Sequence, residues 1–120
     1  MKSYKNMTIQ DDRGYLYEFY QKDYRSQQVN ILFSHKGTVR GNHYHKKTTE
    51  IFFIINGEVE VDLYCIKEKN RKKINVTAGD EFTVDPYTVH TLTFKEDTTI
   101  LSFYSLAFKL DDTDIFGYVD

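Results

Sequence analysis

Cysteine, proline and tryptophan are nearly absent from this chain: its 120 residues include one cysteine, one proline and no tryptophan. The lone Cys65 excludes an internal disulfide framework and is compatible with a reducing compartment. No apolar run is long enough to span a bilayer, and the amino terminus, MKSYKNMTIQDDRG, lacks the apolar segment of a secretory signal. We therefore expect a cytoplasmic protein that depends on its hydrophobic core rather than on crosslinks.

A net charge of one sign is also missing, since 16 basic and 18 acidic residues give a formal charge of −2. This balance argues against a broad electrostatic surface for nucleic acid or for an anionic membrane. The local basic run at residues 67–73 (KEKNRKK) is interpreted as the solvated tip of a hairpin, because the central Asn70 suits a turn. The charge pattern predicts neither a nucleic acid nor a membrane partner.

Aromatic residues, in contrast, are abundant at 16%, with ten tyrosines and nine phenylalanines. Aromatic and β-branched side chains favour strands, and no segment has the pattern of an amphipathic helix. The predicted strands cover residues 28–34, 50–55, 58–65, 74–78, 81–84, 90–94 and 98–107. Short strands separated by turns, in a chain of this length, predict an all-β sandwich or barrel formed by one domain, residues 1–120.

Two neighbouring strands have informative patterns. Residues 50–55 (EIFFII) form a nearly continuous apolar run, which is typical of a strand buried on both faces. Asn56-Gly57 follows and predicts a type I′ hairpin turn. Residues 58–65 then alternate, as expected for a half-buried strand. The acidic tail, residues 111–120, is expected to pack on the barrel rim or on a partner subunit.

The functional signal is concentrated in residues 37–57, where His43, His45 and Glu50 have the spacing H-x-H-x4-E. The two histidines lie two positions apart, so on a strand they point to the same side. Glu50 can join them only if the chain loops over KKTT, and His90 can complete the set from a facing strand. Three imidazoles and a carboxylate can hold a divalent metal or move protons. The metal set would be His43, His45, Glu50 and His90, which suits zinc, iron, manganese or nickel.

These residues match the first motif of the cupin superfamily, G-x5-H-x-H-x3,4-E-x6-G. Its five fixed positions are filled by Gly37, His43, His45, Glu50 and Gly57. The second motif, G-x5-P-x-G-x2-H-x3-N, is matched loosely by Gly79, Pro86 and His90, with Thr88 and Phe94 departing from it. The chain resembles cupins, and this resemblance implies a cupin-type jelly-roll β-barrel.

A narrower resemblance covers nearly the whole chain. The stretches DDRGYLYEF, VRGNHYHKKTTE and VDPYTVHTL are similar to cupins that remodel nucleotide-linked keto-deoxysugars. These are the capsular-polysaccharide 3-epimerases, the sugar 3,4-ketoisomerases and, more distantly, the dTDP-4-dehydrorhamnose 3,5-epimerases. The resemblance implies a homodimeric isomerase of surface-polysaccharide biosynthesis. It also implies zinc for the capsular type and no required cofactor for the ketoisomerases.

Isomerising a keto-sugar requires removal of a proton next to a carbonyl. A neutral histidine can accept such a proton at cellular pH, and the resulting enolate needs a donor or a metal. We assign His43 as the base, His45 and His90 as orienting or oxyanion-stabilising groups, and Tyr87 as the candidate acid.

Arginines and a lysine are the candidates for binding the diphosphate of the substrate. Arg13 and Arg40 each precede a glycine, and a guanidinium group can bind phosphate oxygens in pairs. Lys46 is a further substrate-binding candidate. The alternative for each arginine is a surface residue paired with a nearby carboxylate, and the alternative for Lys46 is a solvated side chain.

The leading hypothesis is an epimerase or ketoisomerase acting on a dTDP- or UDP-linked 4-keto-6-deoxyhexose. A metal-dependent cupin oxygenase or hydrolase acting on a small molecule is the second hypothesis, because the same four ligands suit iron. A non-catalytic sugar-binding cupin is the third. The sequence does not distinguish epimerisation from ketoisomerisation.

Overall fold

The computed structural model describes residues 3–5, 8–19 and 23–119. These ranges contain twelve strands and no helix, hence no helix that could cross a membrane. The strands are β1 (Ser3–Lys5), β2 (Thr8–Asp11), β3 (Gly14–Tyr17), β4 (Gln28–Ser34), β5 (Val39–Tyr44), β6 (Glu50–Asn56), β7 (Glu58–Cys65), β8 (Asn70–Thr77), β9 (Asp80–Val84), β10 (Thr88–Phe94), β11 (Thr98–Tyr104) and β12 (Phe116–Gly117).

Two five-stranded antiparallel sheets form the body of the molecule. The first has the order β1-β9-β6-β11-β4 and the second the order β12-β5-β10-β7-β8, while β2 and β3 form a separate hairpin. Apolar side chains from the facing surfaces of both sheets, such as Phe82 and Val61, are completely buried between them. The predicted all-β jelly-roll architecture is confirmed.

The core fills one end of the space between the sheets, and polar residues fill the other. On β6 the inward positions run from Glu50 to Phe52 and Ile54, and on β10 they run from His90 to Leu92 and Phe94. Strand periodicity of two places these side chains in rows. The apolar rows bury large side chains, each of which contributes about 1.5–3 kcal/mol of burial free energy. Because the polar residues lie on the same strands as these core residues, packing of the core also fixes the position of the polar residues.

The predicted Asn56-Gly57 hairpin is wrong. β6 pairs with β9 and β11, whereas β7 pairs with β10 and β8, so the chain crosses from one sheet to the other at Gly57. Gly57 has φ of +104°, but Asn56 does not adopt the positive φ that a type I′ turn requires at both central residues. β6 is apolar on both faces, which suits its position as the middle strand of a sheet whose two faces are both buried there. Its outer face is covered by Phe19, whose ring stacks on Phe53 at 4.9 Å.

The basic hairpin lies where the sequence predicts it but has a shorter tip. β7 and β8 pair from Glu58–Thr77 to Cys65–Asn70, which leaves residues 66–69 as the turn. Residues 70–73 already belong to β8 and are exposed. The acidic tail packs on the barrel through β12, which pairs with β5.

We expect Gly57→Ala to destabilise the protein more than Gly37→Ala. Both glycines have positive φ, which costs an L-residue about 1–2 kcal/mol. A Cβ at Gly57 would also meet the backbone of Asp97 and Thr98, whereas a Cβ at Gly37 would meet nothing within 4 Å. Urea unfolding of the two variants measures the difference. Equal losses of unfolding free energy would show that the crossover has room for a side chain.

Candidate active site

Three histidines and Glu50 meet at the polar end of the barrel. β5 supplies His43, His45 follows its last residue, and His90 on β10 lies opposite His43 in the strand register. The ring centroids are 4.5 Å apart for His43–His90, 5.3 Å for His45–His90 and 5.6 Å for His43–His45. Glu50 enters from the opposite sheet. The structure therefore brings together the four side chains of the motif.

Gly41 allows the close approach of β5 to β10. Its φ is +105°, and a Cβ there would collide with the carbonyl group of His90. The register between the strands shifts between His90 and Thr91, as in a β-bulge. The glycine of the Arg-Gly pair therefore positions His43 against His90.

Glu50 is buried, with 4% of its surface exposed. The Ser102 hydroxyl donates a hydrogen bond to its Oε2 at 2.5 Å, and its Oε1 lies 3.1 Å from His45 Nε2 and 3.7 Å from His90 Nε2. A buried carboxylate needs such partners because desolvation penalises the charge. Glu50 is thus the negative centre around which the imidazoles are arranged.

His45 has an acceptor at each ring nitrogen. Nδ1 lies 2.8 Å from the carbonyl oxygen of Asp114, and Nε2 faces Glu50. A ring that donates from both nitrogens is an imidazolium ion. Burial lowers the pKa of His45, but the hydrogen bonds to Glu50 and Asp114 and the charges of both carboxylates together raise it above its ordinary value. The geometry therefore favours the cationic form of His45.

The other two histidines are shifted in the opposite direction. Burial, reinforced by the positive charge of His45, lowers the pKa of His43 despite the attraction of Glu50. Burial also lowers the pKa of His90 to about 4, and its Nδ1 donates to the carbonyl oxygen of Thr88 at 3.2 Å. The pKa of His45 is thus raised while those of His43 and His90 are lowered, and such a separation of pKa values suits acid and base roles.

The donor set also fits a divalent cation. Ligand nitrogens of His43, His45 and His90 lie within 4.8 Å of one another, and Glu50 Oε1 is next to two of them. His45 and His90 each use Nδ1 to contact a backbone carbonyl, which leaves Nε2 directed toward the centre. That arrangement is common for histidine ligands.

A cavity of about 330 Å³ opens beside the cluster. It is lined by Leu32, Arg40, Gly41, His43, Glu50, Phe52, His90, Leu92 and Tyr104. Arg40 is fixed at its rim, since Nε donates to Ser34 Oγ at 2.5 Å. A cationic group therefore lies at the opening of a cavity that contains neutral histidines.

Tyr104 is a site residue that the sequence analysis missed. Its ring centroid is 5.7 Å from that of His45, and it lines the cavity. Burial, with the charge of Glu50, raises the pKa of Tyr104 to about 12, so its hydroxyl keeps its proton. Strand alternation places Tyr104 on the same face as Ser102 and Ile100. This alternation in the sequence could have indicated that Tyr104 faces the interior of the barrel.

The remaining candidates lie away from this cavity. Tyr87 has φ of +62°, and its ring stacks on Tyr44 at 6.0 Å and contacts Lys67 Nζ at 4.0 Å, beside a different cavity. Arg13 has a 90% exposed side chain that pairs with Asp11 at 2.6 Å. Lys46 Nζ lies 4.1 Å above the Phe116 ring. Of the three predicted cationic ligands, only Arg40 lines the histidine cavity.

Comparison with protein families gives a direct result. Residues 9–116 match the family described as the polysaccharide biosynthesis C-terminal domain. The chain belongs to this family. No curated protein matches it.

Solved structures share the fold at low sequence identity. QdtA, a sugar 3,4-ketoisomerase from Thermoanaerobacterium thermosaccharolyticum solved with TDP, has a TM-score of 0.82 and 22% identity, over 99% of this chain and 88% of that one. For WlaRB, the TDP-quinovose 3,4-ketoisomerase of Campylobacter jejuni, the values are 0.83 and 18%, over 98% and 92%. The dTDP-4-dehydrorhamnose 3,5-epimerase of Sulfolobus tokodaii gives 0.78 and 20%, over 92% and 73%. These matches confirm the cupin-type fold.

We expect Glu50→Gln to lower the pKa of His45, because the charge and the hydrogen bond of Glu50 that raise it are lost while burial, which lowers it, remains. In the native protein this raised pKa contributes stability at pH values below the unfolded pKa, and the contribution is lost as pH rises through the folded pKa. NMR titration of the ring nitrogens in chelator-treated protein measures the shift. Ser102→Ala, which keeps the charge, is the control; an unchanged His45 pKa in Glu50→Gln would contradict the assignment.

Proposed function

We propose that the chain is an isomerase, an epimerase or ketoisomerase of a dTDP- or UDP-linked 4-keto-6-deoxyhexose in surface-polysaccharide biosynthesis. The observation that carries this proposal is the cluster of three imidazoles around a buried carboxylate, beside a cavity with an arginine at its rim. The family match and the likeness to TDP-sugar ketoisomerases support it. We place the reaction in the cytoplasm, where a single unpaired cysteine is stable.

The first step is assigned to His43. Its neutral ring takes the proton from the carbon next to the sugar carbonyl, and the electron pair of that C–H bond moves to the carbonyl oxygen. Arg40 binds the diphosphate at the cavity rim. We include Lys46 and Arg13 as diphosphate ligands only if another copy of the chain brings them to the cavity.

The enolate oxygen then needs hydrogen-bond donors. The Tyr104 hydroxyl, which retains its proton, and the cationic His45 ring next to Glu50 are the donors available at this cavity. His90 stays neutral and orients His43 across the strand pair. Return of the proton to the opposite face of the same carbon gives an epimer. Protonation of the enolate oxygen gives an enediol, and protonation of the former carbonyl carbon, with loss of the proton from the neighbouring hydroxyl as it becomes the new carbonyl, gives a ketoisomer. Tyr87, the acid expected from the sequence, lies beside another cavity, and the proposed mechanism assigns no step to it.

No cofactor is required for this proton transfer. Zinc, if bound, would be held by His43, His45, Glu50 and His90, and would supply Lewis-acid stabilisation of the enolate oxygen. The four donor atoms described above support this site.

A second copy of the chain is the proposed protein partner. On β4, the edge strand of the first sheet, Val29, Ile31 and Phe33 point outward and are 55%, 78% and 48% exposed. A free strand edge with a contiguous apolar face is a typical site of self-association. We propose that this face forms the homodimer interface.

The proton transfer can be tested in deuterated water with dTDP- and UDP-linked 4-keto-6-deoxyhexoses. The chain is expected to introduce solvent deuterium next to the carbonyl, and His43→Asn should slow this exchange by about 10²–10⁴-fold. Tyr87→Phe is the control and should retain the rate. Absence of exchange with both nucleotides overturns the proposal: tight binding alone would indicate a sugar-binding protein, and oxygen consumption with bound iron an oxygenase.

The dimer can be tested by light scattering. Ile31→Asp should shift the protein from dimer to monomer, because it places a charge in the centre of the apolar face. Leu110→Asp, at a position that is 92% exposed on the tail, is the matched control and should leave the mass unchanged. A native protein that is monomeric at micromolar concentration would contradict this interface.

A further inference from the structure

One residue of the acidic tail, Asp114, contacts both His45 and the loop that follows it. Asp114 is only 7% exposed, although it lies in a segment of exposed acidic residues. Its φ is +52°, in the left-handed region that aspartate tolerates better than most residues. A buried residue in this conformation, 69 positions from His45, is held there by specific contacts.

The Asp114 carboxylate binds the loop that joins His45 to Glu50. Oδ1 accepts from the Lys46 amide at 2.8 Å, and Oδ2 accepts from the amides of Lys47 at 3.0 Å and Thr48 at 2.8 Å. The Thr48 hydroxyl adds a fourth bond at 2.8 Å. Three consecutive amides directed at one carboxylate fix the conformation of this loop, and so the position of Glu50 relative to His45.

The backbone of the same residue binds the histidine ring. The Asp114 carbonyl oxygen accepts the Nδ1 hydrogen of His45 at 2.8 Å. With Nδ1 occupied, Nε2 must face Glu50 and the other two histidines. The side chain holds the loop and the carbonyl holds the ring, so both halves of the His45–Glu50 contact depend on Asp114.

We infer that Asp114 is a positioning residue for His45, which keeps the ring protonated at Nδ1 and directs Nε2 into the histidine cluster. Asp114 does not line the histidine cavity and acts only through His45 and the loop. The kinetic part of this inference rests on the proposed function, whereas the structural part is independent of it.

Asp114→Ala removes all four bonds of the carboxylate, and Asp114→Asn keeps one acceptor oxygen and a residue that tolerates positive φ. The matched control is Asp112→Ala, which removes the exposed Lys47–Asp112 ion pair of 2.6 Å in the same segment. Each variant is examined by ring-nitrogen NMR of His45 in metal-free protein, by circular dichroism, and by kcat and KM for the sugar nucleotide.

In Asp114→Ala, the Nδ1 hydrogen of His45 should lose its fixed acceptor, so the ring-nitrogen signals of His45 should shift and broaden as the ring takes more than one orientation. The kcat of Asp114→Ala should fall about 10–100-fold, the range known for loss of an outer partner of a metal-ligating histidine, with KM nearly unchanged. Asp114→Asn should recover part of the loss, and Asp112→Ala should behave like the native chain. An unaltered His45 spectrum with native kcat, or a change in KM alone, would overturn the inference.

Two further outcomes remain decisive. If Asp114→Ala does not fold, Thr48→Val removes a single bond to the carboxylate, and an unperturbed His45 spectrum in both Thr48→Val and Asp114→Asn would refute the positioning role. If the native chain exchanges no sugar proton, the proposed function fails, but the NMR comparison still tests whether Asp114 sets the His45 ring.

Discussion

The buried carboxylate of Glu50 is the constraint on which the site depends. A charge at 4% exposure is stable only with close partners, and it has a hydroxyl donor from β11 and an imidazole that follows β5. Because those partners belong to opposite sheets, the polar contacts link the two sheets where the apolar core ends. At His45 the hydrogen bonds and carboxylate charges outweigh burial and raise the pKa, whereas at His90 burial outweighs the charge of Glu50 and lowers the pKa. Histidines that the sequence presents as equivalent therefore differ in their environments.

The arrangement follows from strand geometry. Glu50 and His90 stand at the ends of inward-facing rows whose other members are core residues, so packing of the apolar rows sets the positions of their backbones between the sheets. Only His45 lies just beyond a strand end, and it is the histidine with the most elaborate external bonding. A residue outside the regular sheet needs contacts from elsewhere in the chain, and the tail provides them.

Local spacing predicted the fold and the histidine cluster because both depend on short-range periodicity: His43 and His45 share a face by alternation, and the glycines on either side fit the motif. Ser102, Tyr104 and Asp114 were not predicted, because they join the site through contacts that span 52 to 69 positions. Tyr87 was assigned by its proximity to His90 in sequence, but its ring stacks on Tyr44 beside a different cavity. Asn56-Gly57 predicted a local hairpin, whereas burial of β6 on both faces required a central strand.

The His45–Glu50 contact bears on both alternatives for this site, which are binding of a divalent metal and metal-free proton transfer by the histidines. With Nδ1 bonded to the Asp114 carbonyl, His45 has only Nε2 available, and Nε2 can carry a proton shared with Glu50 or bind a cation. It cannot do both. Zinc held by the same residues would therefore replace the acidic proton of His45, and it would also take a ring nitrogen of His43, the assigned base. Of the groups assigned to the proton transfer, the Tyr104 hydroxyl is the one that zinc would leave unchanged. Metal binding and proton transfer would therefore compete for the same ring nitrogens of His43 and His45 in this chain.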